Sequence, residues 1–264
     1  MSVLLMGLVL GAAQAQELEL EPIERSLPVS APGLRLLAGR STVSVRHMPG
    51  ATSSRVVITP DRWWEGCEVR FSGDASIAIA QIFEEGEANP WRCTAHFDVE
   101  LAGPTAVEVT MDKAHVQLED APGAITVLIG RGSVSGSAAA AADVEITRLG
   151  RIELWDLAVP ARARVGMGNV MTAYSAEVVG TIQAEAGWGR VRVQLPYGSL
   201  VDDQSSPTRL GGVRSMVPYR EGHSMRVEAS ARLGGVRIET DLNALSASLQ
   251  ATAPDQTTAD AVGM

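Results

Sequence analysis

The chain has 264 residues, enough for one large or two small domains with a buried core. Its net charge of −9, with no basic run to meet phosphates, excludes a nucleic-acid surface and argues against an anionic membrane. Apolar residues make up 45%, charged 20% and aromatic only 4%, with 26 glycines. That balance suits thin coils whose narrow interior is filled by Val, Ile, Leu and Ala.

Residues 1–15 read as a signal peptide. Val3 to Gly11 is an apolar core, and Ala13-Gln14-Ala15 is a small-x-small cleavage site before Gln16. The apolar stretch is shorter than the roughly 20 residues that cross a bilayer, so no transmembrane segment is expected in the mature chain. The expected location is periplasmic or extracellular. Residues 16–33, acidic and then rich in Pro and Ser, read as a linker. The alternation Glu17-Leu18-Glu19-Leu20-Glu21 could instead form one edge strand.

Strand patterns begin at Leu34, where a single β domain covering 34–242 is expected. Its first strands are irregular: Thr42 to Arg46, Arg55 to Thr59, Cys67 to Phe71, Ser76 to Ala80 and His96 to Leu101. The repeat has either decayed here or begins as a small sandwich-like cap. Cys67 and Cys93 are the only cysteines, and neither lies in a CxxC pair. In an oxidising compartment they would form a disulfide contributing about 3–4 kcal/mol in the chain-entropy view; two unrelated buried thiols are the alternative. Trp63, Trp64 and Trp91 flank them, as a mini-core packed on the disulfide or as contacts for a ligand or partner.

From Thr105 the pattern is regular. Val107 and Val109 alternate with Glu108 and Thr110, the period of a half-buried strand. A turn with a following β-branched residue then recurs: Ala114-His115-Val116, Gly132-Ser133-Val134, Gly150-Arg151-Ile152 and Gly168-Asn169-Val170. It continues at wider spacing as Gly189-Arg190-Val191, Gly211-Gly212-Val213 and Gly234-Gly235-Val236. A strand-like repeat of about twenty residues means coils stacked on coils, a parallel β-solenoid. Right-handed winding is the default for parallel crossovers. Gly132, Gly150, Gly168, Gly189 and Gly235 are expected at the corners, where positive φ and close stacking exclude a Cβ. The hexapeptide Arg209 to Arg214 recurs unchanged as Arg232 to Arg237, so these should be neighbouring coils. Residues 243–264 read as a short cap and a disordered tail, with Leu242, Leu245 and Leu249 at helical spacing.

No catalytic motif emerges, and no cofactor or metal site is expected. The four histidines (His47, His96, His115 and His223) lack metal-ligand spacing. Acid pairs for sugar hydrolysis would have to come from Glu119-Asp120, Glu153 with Asp156, or Asp202-Asp203. Asp112, Lys113 and His115 crowd one turn. All of these suit solvated turns.

Thr105-Ala106-Val107-Glu108-Val109, the serial glycine turns, and Leu195-Pro196 followed by a further Gly-Gly-Val coil resemble the putative-adhesin β-solenoids of bacterial envelopes, over about Thr42 to Leu242. That family has no established catalytic residues to carry over. The resemblance implies an exported, non-enzymatic module that meets an envelope protein or glycan. The alternatives are a structural or stress-signalling component of an envelope assembly and a β-helix carbohydrate-active enzyme.

Overall fold

The computed structural model describes residues 21–27, 33–63, 66–72, 76–82, 88–89, 93–206 and 209–240. The expected signal peptide, most of the expected linker, Trp64, Trp91 and the tail from 241 lie outside the described residues. The chain is all β. Its strands are β1 (Ile23–Leu27), β2 (Gly33–His47), β3 (Ser54–Arg62), β4 (Cys67–Phe71), β5 (Ser76–Ile82), β6 (Ala88–Asn89) and β7 (Thr94–Leu101). There follow β8 (Ala106–Ala121), β9 (Ile125–Ala138), β10 (Ala142–Leu157), β11 (Arg162–Tyr174), β12 (Gly180–Leu195), β13 (Asp202–Asp203), β14 (Val213–Ser215) and β15 (Met225–Thr240).

The long strands cannot be straight. Extended, the 16 residues of β8 would reach about 50 Å. Yet Ile125, at the head of β9, pairs in parallel with Val107, at the head of β8, and only residues 122–124 join the two strands. So short a connector spans at most about 14 Å. Each strand therefore folds back at its middle, and each coil is two short strands facing each other across a core. The burial pattern marks the bend. Val107, Val109 and Met111 are buried at a step of two, and the alternation resumes one residue out of phase at Ala114, Val116 and Leu118.

Coils then stack in parallel and in register. The inward column Val43, Val116, Val134, Ile152, Val170, Val191 and Val236 is fully buried from coil to coil. Each such side chain contributes about 1.5–3 kcal/mol by leaving water. The solenoid-like stack expected from the repeat is therefore present.

Two residues before that column, Ala114, Gly132, Gly150, Gly168, Gly189 and Gly234 are stacked at the bend. A Cβ on Gly168 would lie 1.7 Å from the Gly150 carbonyl oxygen, and one on Gly189 would lie 1.6 Å from that of Gly168. Gly168 and Gly189 also take φ of +135° and +143°. Two expectations need correction. Gly235 is not the corner glycine: it pairs with Arg190, while Gly234 (φ +138°) sits over Gly189. Gly150 is at a corner without a positive φ, and crowding alone, with its Cβ position 2.2 Å from the Gly132 oxygen, excludes a side chain there.

Spatial order departs from chain order at both ends. The stack runs β7, β2, β8, β9, β10, β11, β12, β15, and then β13 with β14. β2 is thus threaded between β7 and β8, and β15 between β12 and the residues that follow β12 in sequence. Each outermost parallel rung is split. β5 pairs the first half of β2 and β7 the second half. Likewise β13 pairs the first half of β15 and β14 the second. The identical hexapeptides are neighbours, with Leu210 on Leu233 and Val213 on Val236. Beyond β7 the sheet turns antiparallel, through β3 and then β1, which lies inside the stretch expected as a linker. The N-terminal strands are accordingly neither a decayed repeat throughout nor a separate sandwich, because β2 is a complete rung and only its outer neighbours are irregular.

Candidate functional site

One outward column of the stack has an unusual composition. The residue before each corner position (Ser41, Ala114 or a glycine) lies on the outward side of the bend. In register these residues are Arg40, Lys113, Arg131, Leu149, Met167, Trp188, Leu233 and Leu210. At about 4.8 Å per rung the line is roughly 34 Å long. Three cations occupy its N-terminal part and five apolar side chains the remainder. Leu149, Met167, Trp188 and Leu210 are 54%, 47%, 55% and 72% exposed. A contiguous run of large exposed apolar groups is rare on a soluble surface and marks an interaction site.

Shallow hollows lie along both flanks. One, of about 490 Å³, is lined by Gly166 and Gly187, by Arg164, Arg209 and Arg232, and by Glu145 and Glu185. A second, of about 520 Å³, lies on the other flank among Arg151, Arg190, Arg192, Arg214 and Arg237. A third, of about 550 Å³, surrounds the cationic part and includes Arg40, Arg62, Lys113, His96 and His115.

Charge pairing varies over the surface. On the outward face of β2 to β12, several charges are answered by the next coil: Glu108 by Arg35 at 2.9 Å, Asp143 by Arg162 at 3.5 Å and Glu185 by Arg164 at 3.3 Å. Near the ridge, Arg192 and Arg237 share the buried carboxylate of Glu239, and Arg151 pairs with Glu153. Arg190, Arg209, Arg214 and Arg232 have no acidic partner among the described residues. A locally cationic, apolar line therefore runs along an acidic protein.

The residues singled out in the sequence lie elsewhere or are satisfied locally. Cys67 and Cys93 form a disulfide, as expected. Trp63 is buried in the hydrophobic core, while Trp64 and Trp91 lie outside the described residues. The carboxylate of Asp120 accepts from Ser137 Oγ at 2.9 Å, and that of Asp112 accepts from Arg148 at 2.9 Å. Asp202 accepts from Gln204 Nε2 at 2.7 Å, and Asp203 from the Ser205 N–H at 2.9 Å. His96 pairs with Asp98 at 3.0 Å, and His115 with Ser133 at 2.9 Å. No group of three or more potential metal ligands occurs among the described residues. The arrangement provides contacts for binding. Of the ridge, only Lys113 was a candidate for chemistry in the sequence. The signal was the position before each repeated glycine, which becomes legible once the coils are aligned on their glycines.

No family model matches the chain, and no curated protein matches it in sequence. Among solved structures, it is similar to a putative cell adhesion protein from Clostridium sporogenes, with a TM-score of 0.29 and 12% identity over 84% of this chain and 99% of that one. It is also similar to putative adhesins from Parabacteroides distasonis (0.26, 14%, 84% and 97%) and Bacteroides fragilis (0.28, 13%, 83% and 97%). The structural neighbours are thus bacterial adhesin-like proteins covering most of the chain, the group the sequence resembled. At these scores and identities the likeness transfers no function to this chain.

Proposed function

We propose that this chain is an exported, non-enzymatic binding module that attaches to a bacterial envelope through its corner ridge. The observation behind this is the ridge itself: large apolar side chains stacked at the surface, flanked by arginines of which Arg190, Arg209, Arg214 and Arg232 have no acidic partner among the described residues. Exposed Trp and Arg are the residue types that supply most of the binding energy at interfaces. A disulfide joining Cys67 and Cys93 suits an oxidising compartment. Right-handed winding belongs to the same proposal, as the default for parallel crossovers.

Saturable binding of the purified protein to isolated bacterial envelopes is the test. Trp188→Ser with Leu149→Ser should weaken it by about tenfold or more, given the apolar area removed. Thr126→Ala, on the charge-paired face, should leave it unchanged. No saturable binding, or equal binding by the ridge variant, would overturn the proposal.

A further inference from the structure

We infer that the ridge is a membrane-contact line, seating the stack lengthwise on the surface of an anionic lipid bilayer; this rests on the binding role proposed above. Shape is the first reason. The apolar side chains stand along a bend of the coil, with hollows falling away on either side, so the line is convex. A folded partner would need a matching groove roughly 34 Å long, whereas a deformable headgroup layer needs none.

Composition is the second reason. Trp188 carries an apolar ring with a polar N–H, a combination suited to the headgroup boundary. Leu210 and Leu233 are each immediately preceded by an arginine that has no acidic partner among the described residues (Arg209 and Arg232). The apolar groups would enter the boundary while guanidinium groups meet phosphates beside them. Charge distribution is the third. The chain as a whole carries −9 and would be repelled by an anionic surface. Only a local cationic line can reverse that, and Arg40, Lys113 and Arg131 extend the ridge as one. Net charge alone therefore misleads about this partner, and the repulsion elsewhere would orient the protein ridge-down. The described residues include no helix long and apolar enough to cross a membrane.

The test is sedimentation of the purified full chain with vesicles. Equal parts phosphatidylglycerol and phosphatidylcholine are compared with phosphatidylcholine alone. Partition is expected into the anionic vesicles only, falling as salt rises. Met167→Ser with Trp188→Ser should lower it about tenfold or more. Lys113→Glu with Arg131→Glu should lower it by a similar factor, since about fivefold is expected for each cation lost. All substituted positions are solvent-facing, so circular dichroism should match the parent. Absence of partition, or partition unaffected by both variants, would overturn the inference. Ridge-dependent binding to envelopes without vesicle binding would discard the lipid and keep the binding module; absence of both would discard both. A dimer that becomes monomeric with Trp188→Ser, without vesicle binding, would make a second copy the occupant and equally overturn it.

Discussion

The two ends of the stack use one topological device and finish it differently. At each end a strand remote in sequence is threaded inside the outermost parallel rung, and that rung is left in two halves. At the N-terminal end the halves are tied. Cys67, on the strand antiparallel to β5, is bonded to Cys93, which directly precedes β7. Glu100 on β7 is held by Arg55 of β3 and Arg46 of β2, joining three strands across the turn to antiparallel pairing. The hydrogen bond from Arg55, followed by that from Arg46, holds the Glu100 carboxyl below the usual carboxylate range. At the C-terminal end no disulfide joins β13 to β14, and Leu210, Met216 and Tyr219 are exposed. A solenoid end must cover its edge or leave it open to contact. This chain seals one end covalently and leaves apolar groups exposed near the other, where the ridge is also apolar.

The largest effect should come from breaking what both ends share. Gly168→Val puts a Cβ against the Gly150 oxygen and a β-branched residue at φ +135°. Backbone strain alone costs about 1–3 kcal/mol, so the whole stack should melt well below the parent. Glu153→Ala, on the surface, should stay within about 0.5 kcal/mol. Gly150→Val should also destabilise, through crowding without the φ strain; equal melting of Gly150→Val and Glu153→Ala would refute the stacked register.

Opening the sealed end comes next. Cys67→Ser with Cys93→Ser should cost about 2–4 kcal/mol. Hydrogen exchange should show the loss first in β7 and β3, with β9 to β12 protected until global unfolding. Uniform loss along the stack would mean the ends are not independent. In the parent, β13 and β14 amides should already exchange faster than those of β7, and the reverse order would erase the contrast.

Acid should sharpen the same difference more gently. Glu100 has a lowered pKa in the fold, so its contribution is present above the unfolded carboxylate pKa and is lost as pH falls through the folded one. Urea midpoints should therefore drop on acidification toward about pH 3, with the loss centred on β3 and β7. Glu100→Gln should be less stable at neutral pH and should show a shallower acid slope. An unchanged slope would remove Glu100 from the clamp. The smallest stability change, within about 0.5 kcal/mol, is expected for Trp188→Ser, which removes exposed surface while impairing binding.

Much of the architecture was legible in the residues. Glycine two positions before a β-branched residue, repeated at near-constant spacing in strand-like sequence, points to stacked parallel coils. The disulfide was legible too, as the expected pairing of the two cysteines in a chain whose first residues read as a signal peptide. The ridge was less so. Lys113, Leu149 and Trp188 belong to no shared chemical type, and only alignment on the glycines shows them to be one line. Gly235 was misassigned because Gly234-Gly235 offers two equivalent glycines, and the pairing of Gly189 with Gly234 decides between them.

By itself, then, the amino-acid sequence determined the coil: its length, its inward Val and Ile positions and its glycine bend. These depend on neighbours within a few residues or on a period that repeats. Tertiary structure alone decided which coil lies on which. β2 between β7 and β8, and β15 between β12 and β14, are choices among strands with nearly the same alternation, and local pattern cannot rank them. Hydrogen-bond register across the finished sheet ranks them, and the same register turns eight scattered residues into a single continuous surface.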